Sequence, residues 1–302
     1  VLYFGKHPAL KSIAAVSIIG ILSVFIIGQI VQPFLFNYFI QSRKEKKLAP
    51  WTLRTLLLAI GAFTYFTFTA LLLTLIGFVL LYALPFISQQ KRKLWYHHIL
   101  RFFVKSLVYL MANVRKVHID KHNMDFSKPA VIIANHSSFL DILVIAMQHP
   151  KLILLTNKWV FYSPVFGKVV QLADYYPVME GVDPAIEKFE KIVAQGYSIA
   201  VFPEGTRTPD GKLKRFHKGA FFLAEKLHLD IAPLVLHGIH HTMQKGDFML
   251  FDGTMTMKFL PRITPQDTSY GNGYAERAKN ISKLFKSNLA TLKNQIETPA
   301  YF

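Results

Sequence analysis

His136 and Asp141 are spaced so that they could act as an acid–base pair. They lie in the stretch NHSSFLD (Asn135–Asp141), between the apolar runs AVIIA and ILVIAM. On one continuous helix, residues five apart point about 140° away from each other, at ~100° per residue. The two side chains can therefore meet only if His136 lies in a turn before a helix and Asp141 in its first turns. An aspartate bonded to one ring nitrogen would fix the tautomer and leave the other nitrogen to deprotonate a substrate hydroxyl.

The same stretch also fits a purely structural role. Ser138, followed three residues later by Asp141, matches the S-x-x-D capping box that starts many helices. A helix cap beside an unrelated loop histidine is therefore the alternative, and the spacing alone does not decide between the two.

A second stretch, FPEGTRTPDG (Phe202–Gly211), follows the apolar run SIAV and places Glu204, Thr206 and Arg207 at the end of a predicted strand. In an open α/β sheet, ligands bind outside the carboxyl ends of the strands. The planar donor fork of an arginine suits a phosphate. The following segment adds four more cations, Lys212, Lys214, Arg215 and Lys218. An ordinary turn beside a basic, solvated face is the alternative.

The elements that must position these residues alternate between strands and helices. Apolar runs predict strands at KVHI, AVIIAN, KLILLT, YYPV, SIAVFPEG and IAPLVLHG, and a hairpin from FMLFDG and MTMKFL. Helical spacing predicts helices at LWYHHILRFFVKSLVYLMANV, FLDILVIAMQ, PVFGKVVQLA, AIEKFEKIVAQG and KGAFFLAEKL, and an amphipathic helix from Tyr274 to Leu292. This order predicts an α/β fold, a mostly parallel sheet flanked by helices and preceded by N-terminal membrane helices.

The apolar residues divide the chain into three predicted parts. Residues 1–40 contain an uncharged run, 12–33, long enough to cross a ~30 Å hydrocarbon core as a transmembrane helix. Residues 41–93 contain a basic loop and a second uncharged run, 55–88, in which a helical hairpin turning near Thr64–Thr69 is predicted and a single over-long helix is the alternative. Residues 94–302 are predicted to form a soluble domain. Lysines and arginines follow each run, so we expect an inner-membrane protein whose domain faces the cytoplasm.

Charge and composition narrow the partners. The formal net charge is +17, and the basic clusters SRKEKK and KRK adjoin the apolar runs, which favours anionic membrane lipids over nucleic acid, for which no reading motif is present. The 302 residues contain no cysteine, which excludes a cysteine nucleophile and thiolate metal sites. Two histidine clusters have spacings that could bind metal, but neither has an adjacent carboxylate partner, so no metal site is predicted: His237, His240 and His241, and His118 with His122.

Together, NHSSFLD and FPEGTRT resemble the motifs of the glycerolipid acyltransferase family, particularly the 1-acylglycerol-3-phosphate acyltransferases. The resemblance covers residues of about 95–265, and Pro233 matches the proline of a later apolar block. It implies that His136 deprotonates a glycerol hydroxyl, which attacks acyl-CoA or acyl-ACP (acyl carrier protein) to give phosphatidic acid, and that Asp141 orients the histidine. It implies no metal or further cofactor. The residues expected to bind substrate are Asn135, Glu204, Gly205, Thr206, Arg207, Lys158 and Lys218.

One position departs from the family pattern. The family has an arginine that helps to bind phosphate about where this chain has Glu180. Lys158 or Lys168 would then have to supply the charge, and a different lipid acceptor stays open.

The N-terminal run, GKHPALKSIAAVSIIGILSVFIIGQIVQPFLF, resembles the last transmembrane helix of exporters of the resistance–nodulation–division superfamily. That resemblance implies an acyltransferase fused to an exporter, and a plain membrane anchor is the alternative. The function alternatives are therefore acylation of another lipid acceptor linked to export, or a non-catalytic lipid-binding domain of an exporter.

Overall fold

The computed structural model describes residues 7–45, 49–178, 185–208 and 210–297. The chain forms two compact units, 1–56 and 57–302. This division differs from the predicted boundaries at 40 and 93, since most of the second apolar run belongs to the unit that contains the sheet.

The first unit is dominated by helical residues from Pro8 to Gln41. Helix α1 (Pro8–Ile26) begins where the His7 side chain accepts a hydrogen bond from the Ala9 N–H, 3.3 Å away. A π-helical turn, Ile27–Val31, precedes Pro33, which has no N–H to bond to the carbonyl one turn earlier. The run continues through α2 (Gln32–Phe36), a second π-helical turn (Asn37–Gln41) and α3 (Ser42–Glu45).

Helix α4 (Leu53–Tyr82) is continuous for 30 residues, so the predicted hairpin near Thr64–Thr69 is wrong and the single long helix is correct. Thr69, at the end of the predicted turn, and Thr74, one turn later, both bond within the helix through their hydroxyls. Thr69 Oγ1 donates to the Tyr65 carbonyl at 2.9 Å, and Thr74 Oγ1 donates to the Ala70 carbonyl at 2.8 Å. This helix and the run from Pro8 to Gln41 are each long and apolar enough to cross a membrane.

Helix α5 (Gln89–Leu110) contains the basic cluster KRK in its first turns, where two of its three cations have protein partners. Arg92 donates to the Leu81 carbonyl, and Lys93 forms a salt bridge with Asp174. These two side chains therefore tie α5 to the rest of its unit.

The second unit is built on a seven-stranded sheet in the order β1-β7-β6-β2-β5-β3-β4. Its strands are Val114–Ile119 (β1), Ala130–Ala134 (β2), Leu152–Thr156 (β3), Tyr176–Pro177 (β4), Ser198–Val201 (β5), Asp230–His237 (β6) and Gly253–Phe259 (β7). All neighbouring pairs are parallel except β6–β7. The predicted α/β fold with a mostly parallel sheet is confirmed. Since β2 pairs with β5 on one side and β6 on the other, the loops after these strands meet at one edge.

The remaining helices are Leu140–Ala146 (α6), Lys158–Phe161 (α7), Gly167–Leu172 (α8), Ile186–Ala194 (α9), Gly219–Lys226 (α10), Ile239–Thr242 (α11) and Tyr274–Ile296 (α12). The amphipathic helix at the C-terminal end of the sequence is confirmed as α12, with Ala278, Ile281 and Phe285 buried. The short helices α7 and α11 were not predicted.

The predicted hairpin of FMLFDG and MTMKFL is wrong, because only the second half is a strand. Strand β7 lies between β6 and β1, and residues 248–252 are irregular. Their backbone is bound elsewhere: Phe251 N–H donates to the Thr242 carbonyl at 2.9 Å, and Asn113 Nδ2 donates to the Phe251 carbonyl at 3.1 Å.

The two faces of the sheet have different covers. Val131 and Ile133 of β2 pack in one buried cluster with Phe189 of α9, Phe221 of α10 and Phe285 of α12. Alternate strand residues point to opposite faces, and Ile132 lines a small cavity on the other face with Ile145 of α6. Helices α4 and α5 pack against α6 on that second face, around a shared apolar cavity.

Candidate active site

The candidate site lies where β2 and β5 end. His136 follows β2 by two residues, and Glu204 follows β5 by three. Because the two strands are parallel neighbours, with Ile133 opposite Val201, their following loops come together. Two motifs separated by more than sixty residues therefore form one site.

His136 and Asp141 form the pair that their spacing predicts. His136 Nδ1 lies 3.0 Å from Asp141 Oδ2. Asp141 is fully buried, and its Oδ2 also accepts the Ser137 and Ser138 N–H groups at 2.6 and 2.7 Å. The carboxylate therefore binds the backbone before α6, as in half of a capping box, and also binds the histidine. The contact between the two side chains and the backbone contacts of a cap are therefore both present, and the role of His136 as a base stays a prediction.

Two further contacts hold His136. Its ring stacks on the Phe202 ring, with centroids 4.0 Å apart and planes 17° apart. Its backbone carbonyl accepts the Thr208 N–H at 3.1 Å. When Nδ1 donates to the Asp141 carboxylate, Nε2 is left with a lone pair. The sequence did not indicate the contacts of Phe202 and Thr208, although both lie in or beside the second motif.

Glu204 was predicted to bind substrate, and in the structure its carboxylate binds the protein backbone. It is 3% exposed, and its Oε1 accepts the His136 N–H at 2.7 Å while its Oε2 accepts the Lys214 N–H at 2.8 Å. Burial raises the pKa of its carboxyl to about 7, although both N–H groups lower it. Both oxygens are thus engaged by the backbone, which makes Glu204 a positioning residue that ties the two loops together.

Asn135 also serves the framework instead of the predicted substrate contact. Its side chain is buried, Nδ2 donates to the Leu236 carbonyl at 2.8 Å, and Oδ1 accepts the Leu236 N–H at 2.8 Å. A side-chain amide can replace a backbone partner in this way. Asn135 therefore anchors the end of β2 to β6.

Gly205, Thr206 and Arg207 lie in the turn beside His136. Gly205 lines the same cavity as His136 and has φ +69°, a conformation that favours glycine. Thr206 Oγ1 accepts from Lys214 Nζ at 3.1 Å. Arg207 is half-buried, and burial lowers the pKa of its guanidinium while the Asp141 carboxylate opposes that shift. The guanidinium forms no hydrogen bond or ion pair with the described residues.

The predicted lysines do not line the cavity. Lys218 is exposed and faces a separate groove on the other side of its segment. Lys158 is exposed at the start of α7, where it is Asn157, its neighbour, that lines the cavity. Lys168 is exposed and donates to Gln171 Oε1 at 3.2 Å. Glu180, which occupies the family's arginine position, lies outside the described residues.

The catalytic cavity, which His136 lines together with Phe202, Gly205 and His217, has a volume of about 270 Å³. Next to it is an apolar cavity of about 80 Å³ enclosed by α4, α5, α6 and the residues of α7 and α8. Ile142, Thr156 and Val160 line both cavities. The cavity that His136 lines and the apolar cavity between the helices thus share a wall.

The histidine clusters do not form a metal site within the described residues, since no group of three or more ligating side chains is placed to hold an ion there. His237 Nε2 lies 3.0 Å from Glu297 Oε1, and His241 Nε2 lies 3.6 Å from the same oxygen. The sequence did not show this carboxylate because it lies sixty residues away. His118 instead stacks on Phe259, with centroids 6.4 Å apart.

Comparison with known proteins gives matches to acyltransferases. The Acyltransferase family model matches residues 108–237, which include both loops. A 1-acyl-sn-glycerol-3-phosphate acyltransferase from Limnanthes alba is 33% identical over 147 residues, or 46% of this chain and 52% of the plant protein. The human 1-acyl-sn-glycerol-3-phosphate acyltransferase alpha is 26% identical over 201 residues, or 63% of this chain and 71% of the human protein. The chain thus spans about half the length of the plant relative that it matches.

A solved structure extends the likeness to the fold. The crystal structure of the 1-acyl-sn-glycerophosphate (LPA) acyltransferase PlsC from Thermotoga maritima matches with a TM-score of 0.65 at 25% identity. The match covers 80% of this chain and 98% of that one.

Proposed function

We propose that this chain, whose residues 108–237 match the Acyltransferase family, transfers a fatty acyl group from a thioester to the free hydroxyl of 1-acylglycerol-3-phosphate. The product is phosphatidic acid, and the donor is acyl-CoA or acyl-ACP. The observation that supports this most is the His136–Asp141 pair, 3.0 Å apart, at the wall of the catalytic cavity.

His136 acts as the base in this proposal. Nε2 takes the proton of the acceptor hydroxyl while Asp141 stabilises the imidazolium that forms. The hydroxyl oxygen attacks the thioester carbonyl, the carbon–sulfur bond breaks, and the leaving thiolate receives the proton from His136. An ester replaces the thioester, and the enzyme ends the cycle in its starting protonation state.

Arg207 binds the phosphate of the acceptor in this proposal. Its guanidinium is near the Asp141 charge, is half-buried, and has no hydrogen-bond partner among the described residues. A phosphate would accept two of its N–H groups and restore the interactions lost by burial.

The apolar cavity receives the fatty acyl chain. Its walls come from three packed helices, with Phe66 and Leu73 of α4, Leu100 of α5 and Leu143 of α6. A hydrocarbon chain leaves water favourably there, at about 25 cal/mol per Å². The wall shared with the catalytic cavity would let the chain extend from the reacting carbonyl.

The protein is membrane-bound in this proposal, with the catalytic domain in the cytoplasm. Helix α4 exposes large apolar side chains such as Phe68, Leu71 and Leu75. The exposed Trp159 of α7 has its ring near Phe166, which in turn contacts Phe66 of α4. Aromatic residues beside an apolar helix are typical of the membrane–water interface.

The test is thiol release from the purified 302-residue chain in detergent, with acyl-CoA or acyl-ACP and 1-acylglycerol-3-phosphate. We expect turnover that His136→Ala abolishes, whereas the matched control His122→Ala, at an exposed position, keeps it. If the chain binds the lysolipid but no variant or donor gives free thiol, it is a lipid-binding module and the proposal fails. A panel of lysolipid headgroups identifies the acceptor.

A further inference from the structure

A second cavity, of about 650 Å³, lies on the other side of segment 215–219 from the catalytic cavity. Alternate residues of this segment face different sides. His217 and Gly219 line the catalytic cavity, whereas Phe216 and Lys218 line the second one. Its opposite wall is the first half of α12. We call this cavity the basic groove.

The groove carries a concentration of unpaired positive charge. Five exposed cations line it, and none forms a salt bridge with any described residue: Arg215, Lys218, Lys279, Lys283 and Lys286. The single acidic lining residue, Glu276, accepts the Asn272 N–H at 3.1 Å. Like charges gathered around a concave surface raise the local concentration of anions. The chemistry of the groove thus suits a compact polyanion.

The lysines that α12 contributes to the basic groove extend towards the edge of the sheet where His136 lies. Helix α12 runs antiparallel to α10, since its Tyr274 ring contacts Phe222 at 5.5 Å and its Phe285 ring contacts Phe216, just before α10, at 5.1 Å. Spacings of four and three residues place Lys279, Lys283 and Lys286 along one side of α12, over about 10 Å. Lys286 is nearest to the edge where His136 lies.

The groove is also on the sheet face away from the apolar helix α4. Helices α10 and α12 cover one face with the cluster around Phe221 and Phe285, while α4 and α5 pack on the other with α6. A membrane in contact with α4 would therefore lie on the opposite side of the sheet. This placement favours a ligand from solution over the lipid surface.

We propose that the basic groove binds the phosphate groups of coenzyme A, the 3′-phosphate and the diphosphate, when acyl-CoA is the donor. The thioester end then passes over the edge into the catalytic cavity. A volume of about 650 Å³ lies in the range of ~300–1,000 Å³ typical of small-molecule sites. Cations on two facing walls suit a compact polyphosphate. This inference rests on the proposed acyl transfer.

The test compares two triple variants that remove the same charge. Lys279→Gln/Lys283→Gln/Lys286→Gln alters the groove, and the control, Lys188→Gln/Lys191→Gln/Lys226→Gln, alters exposed lysines of α9 and α10 on the same face. We expect the groove variant to raise the KM for acyl-CoA about tenfold with kcat and the KM for the lysolipid unchanged. The control stays within twofold of the wild type. With acyl-dephospho-CoA, which lacks the 3′-phosphate, the difference between wild type and groove variant shrinks.

Calorimetric binding of CoA itself separates this inference from the reaction. The His136→Ala protein binds CoA as the wild type does, whereas the groove variant loses about tenfold in affinity. If the protein binds CoA through the groove but never releases thiol, the proposed function is contradicted, whereas the inference about the groove stands. An unchanged KM for acyl-CoA overturns the inference. A loss of turnover confined to acyl-ACP as donor, or a loss of binding confined to anionic vesicles, also overturns it. The lysines of the groove would then bind a protein or a lipid surface.

Discussion

The segment after β2 (the first loop) and the segment after β5 (the second loop) each contribute one buried carboxylate, but the two carboxylates make different contacts. Asp141 contacts the His136 side chain as well as two backbone N–H groups, whereas Glu204 contacts only the backbone of His136 and Lys214. The first loop therefore holds the His136 ring, and the second holds the first loop in place. A motif residue can thus organise a site through backbone contacts alone.

The largest expected effect comes from breaking the side-chain contact of the first loop. Asp141→Asn keeps the shape and an oxygen for the Ser137 and Ser138 N–H groups, but removes the charge that stabilises the His136 imidazolium. We expect kcat to fall by about 10³-fold, by analogy with triads in which the acid fixes the tautomer. The measurement is steady-state thiol release, and unchanged circular dichroism shows that folding is intact. A fall of less than tenfold would leave Asp141 only its role as a cap.

The second loop gives a smaller effect of a different kind. In Glu204→Gln, one oxygen can still accept an N–H, but the amide nitrogen cannot accept the other, so one of two buried backbone donors loses its partner. We expect kcat to fall by about 30-fold, or ~2 kcal/mol. The KM for 1-acylglycerol-3-phosphate stays within twofold. A raised KM with normal kcat would instead show that Glu204 binds the acceptor.

The stability of the protein should depend on pH through Glu204. The folded-state pKa of Glu204 is about 7, above its ordinary value of 4.5. Folded protein therefore holds more protons than unfolded protein between these pH values, and its stability falls as pH rises through that window. We expect the Tm of the wild type, relative to Glu204→Gln, to fall by about 5 °C from pH 5 to pH 8, at ~2–4 °C per kcal/mol. Parallel Tm curves for the two proteins would show that Glu204 keeps an ordinary pKa.

Local pattern was enough to predict the alternating strands and helices. It allowed the His136–Asp141 contact, since the two residues are five apart across one turn, but it did not decide between that contact and a cap beside an unrelated histidine. It was not enough for Glu204, which binds the backbone of His136, 68 residues earlier, or for Asn135, which binds the backbone of Leu236, 101 residues later. Nor did it place β7 between β1 and β6, a pairing set by the whole sheet.

Two further differences between the predictions and the structure have local causes that the sequence does not reveal. The threonines of α4 read as a turn, yet their hydroxyls bond to carbonyls one turn back and leave the helix continuous. Lys218 lies beside His217, yet the two side chains face opposite sides of their segment, so only His217 lines the catalytic cavity. The direction of a side chain, more than its position in a motif, decided each case.

The smallest expected effect separates two cations near the site, Arg207 and Lys158. Neither residue lines the catalytic cavity, but Arg207 is half-buried and near Asp141, whereas Lys158 is exposed at the start of α7. A phosphate gains one or two charge-assisted hydrogen bonds only from the first, so Arg207→Gln should raise the KM for 1-acylglycerol-3-phosphate about tenfold, or ~1.4 kcal/mol. Lys158→Gln should change it less than twofold. Equal effects of the two substitutions would mean that the acceptor senses the general positive field around the cavity, and Arg207 would then have no phosphate of its own to bind.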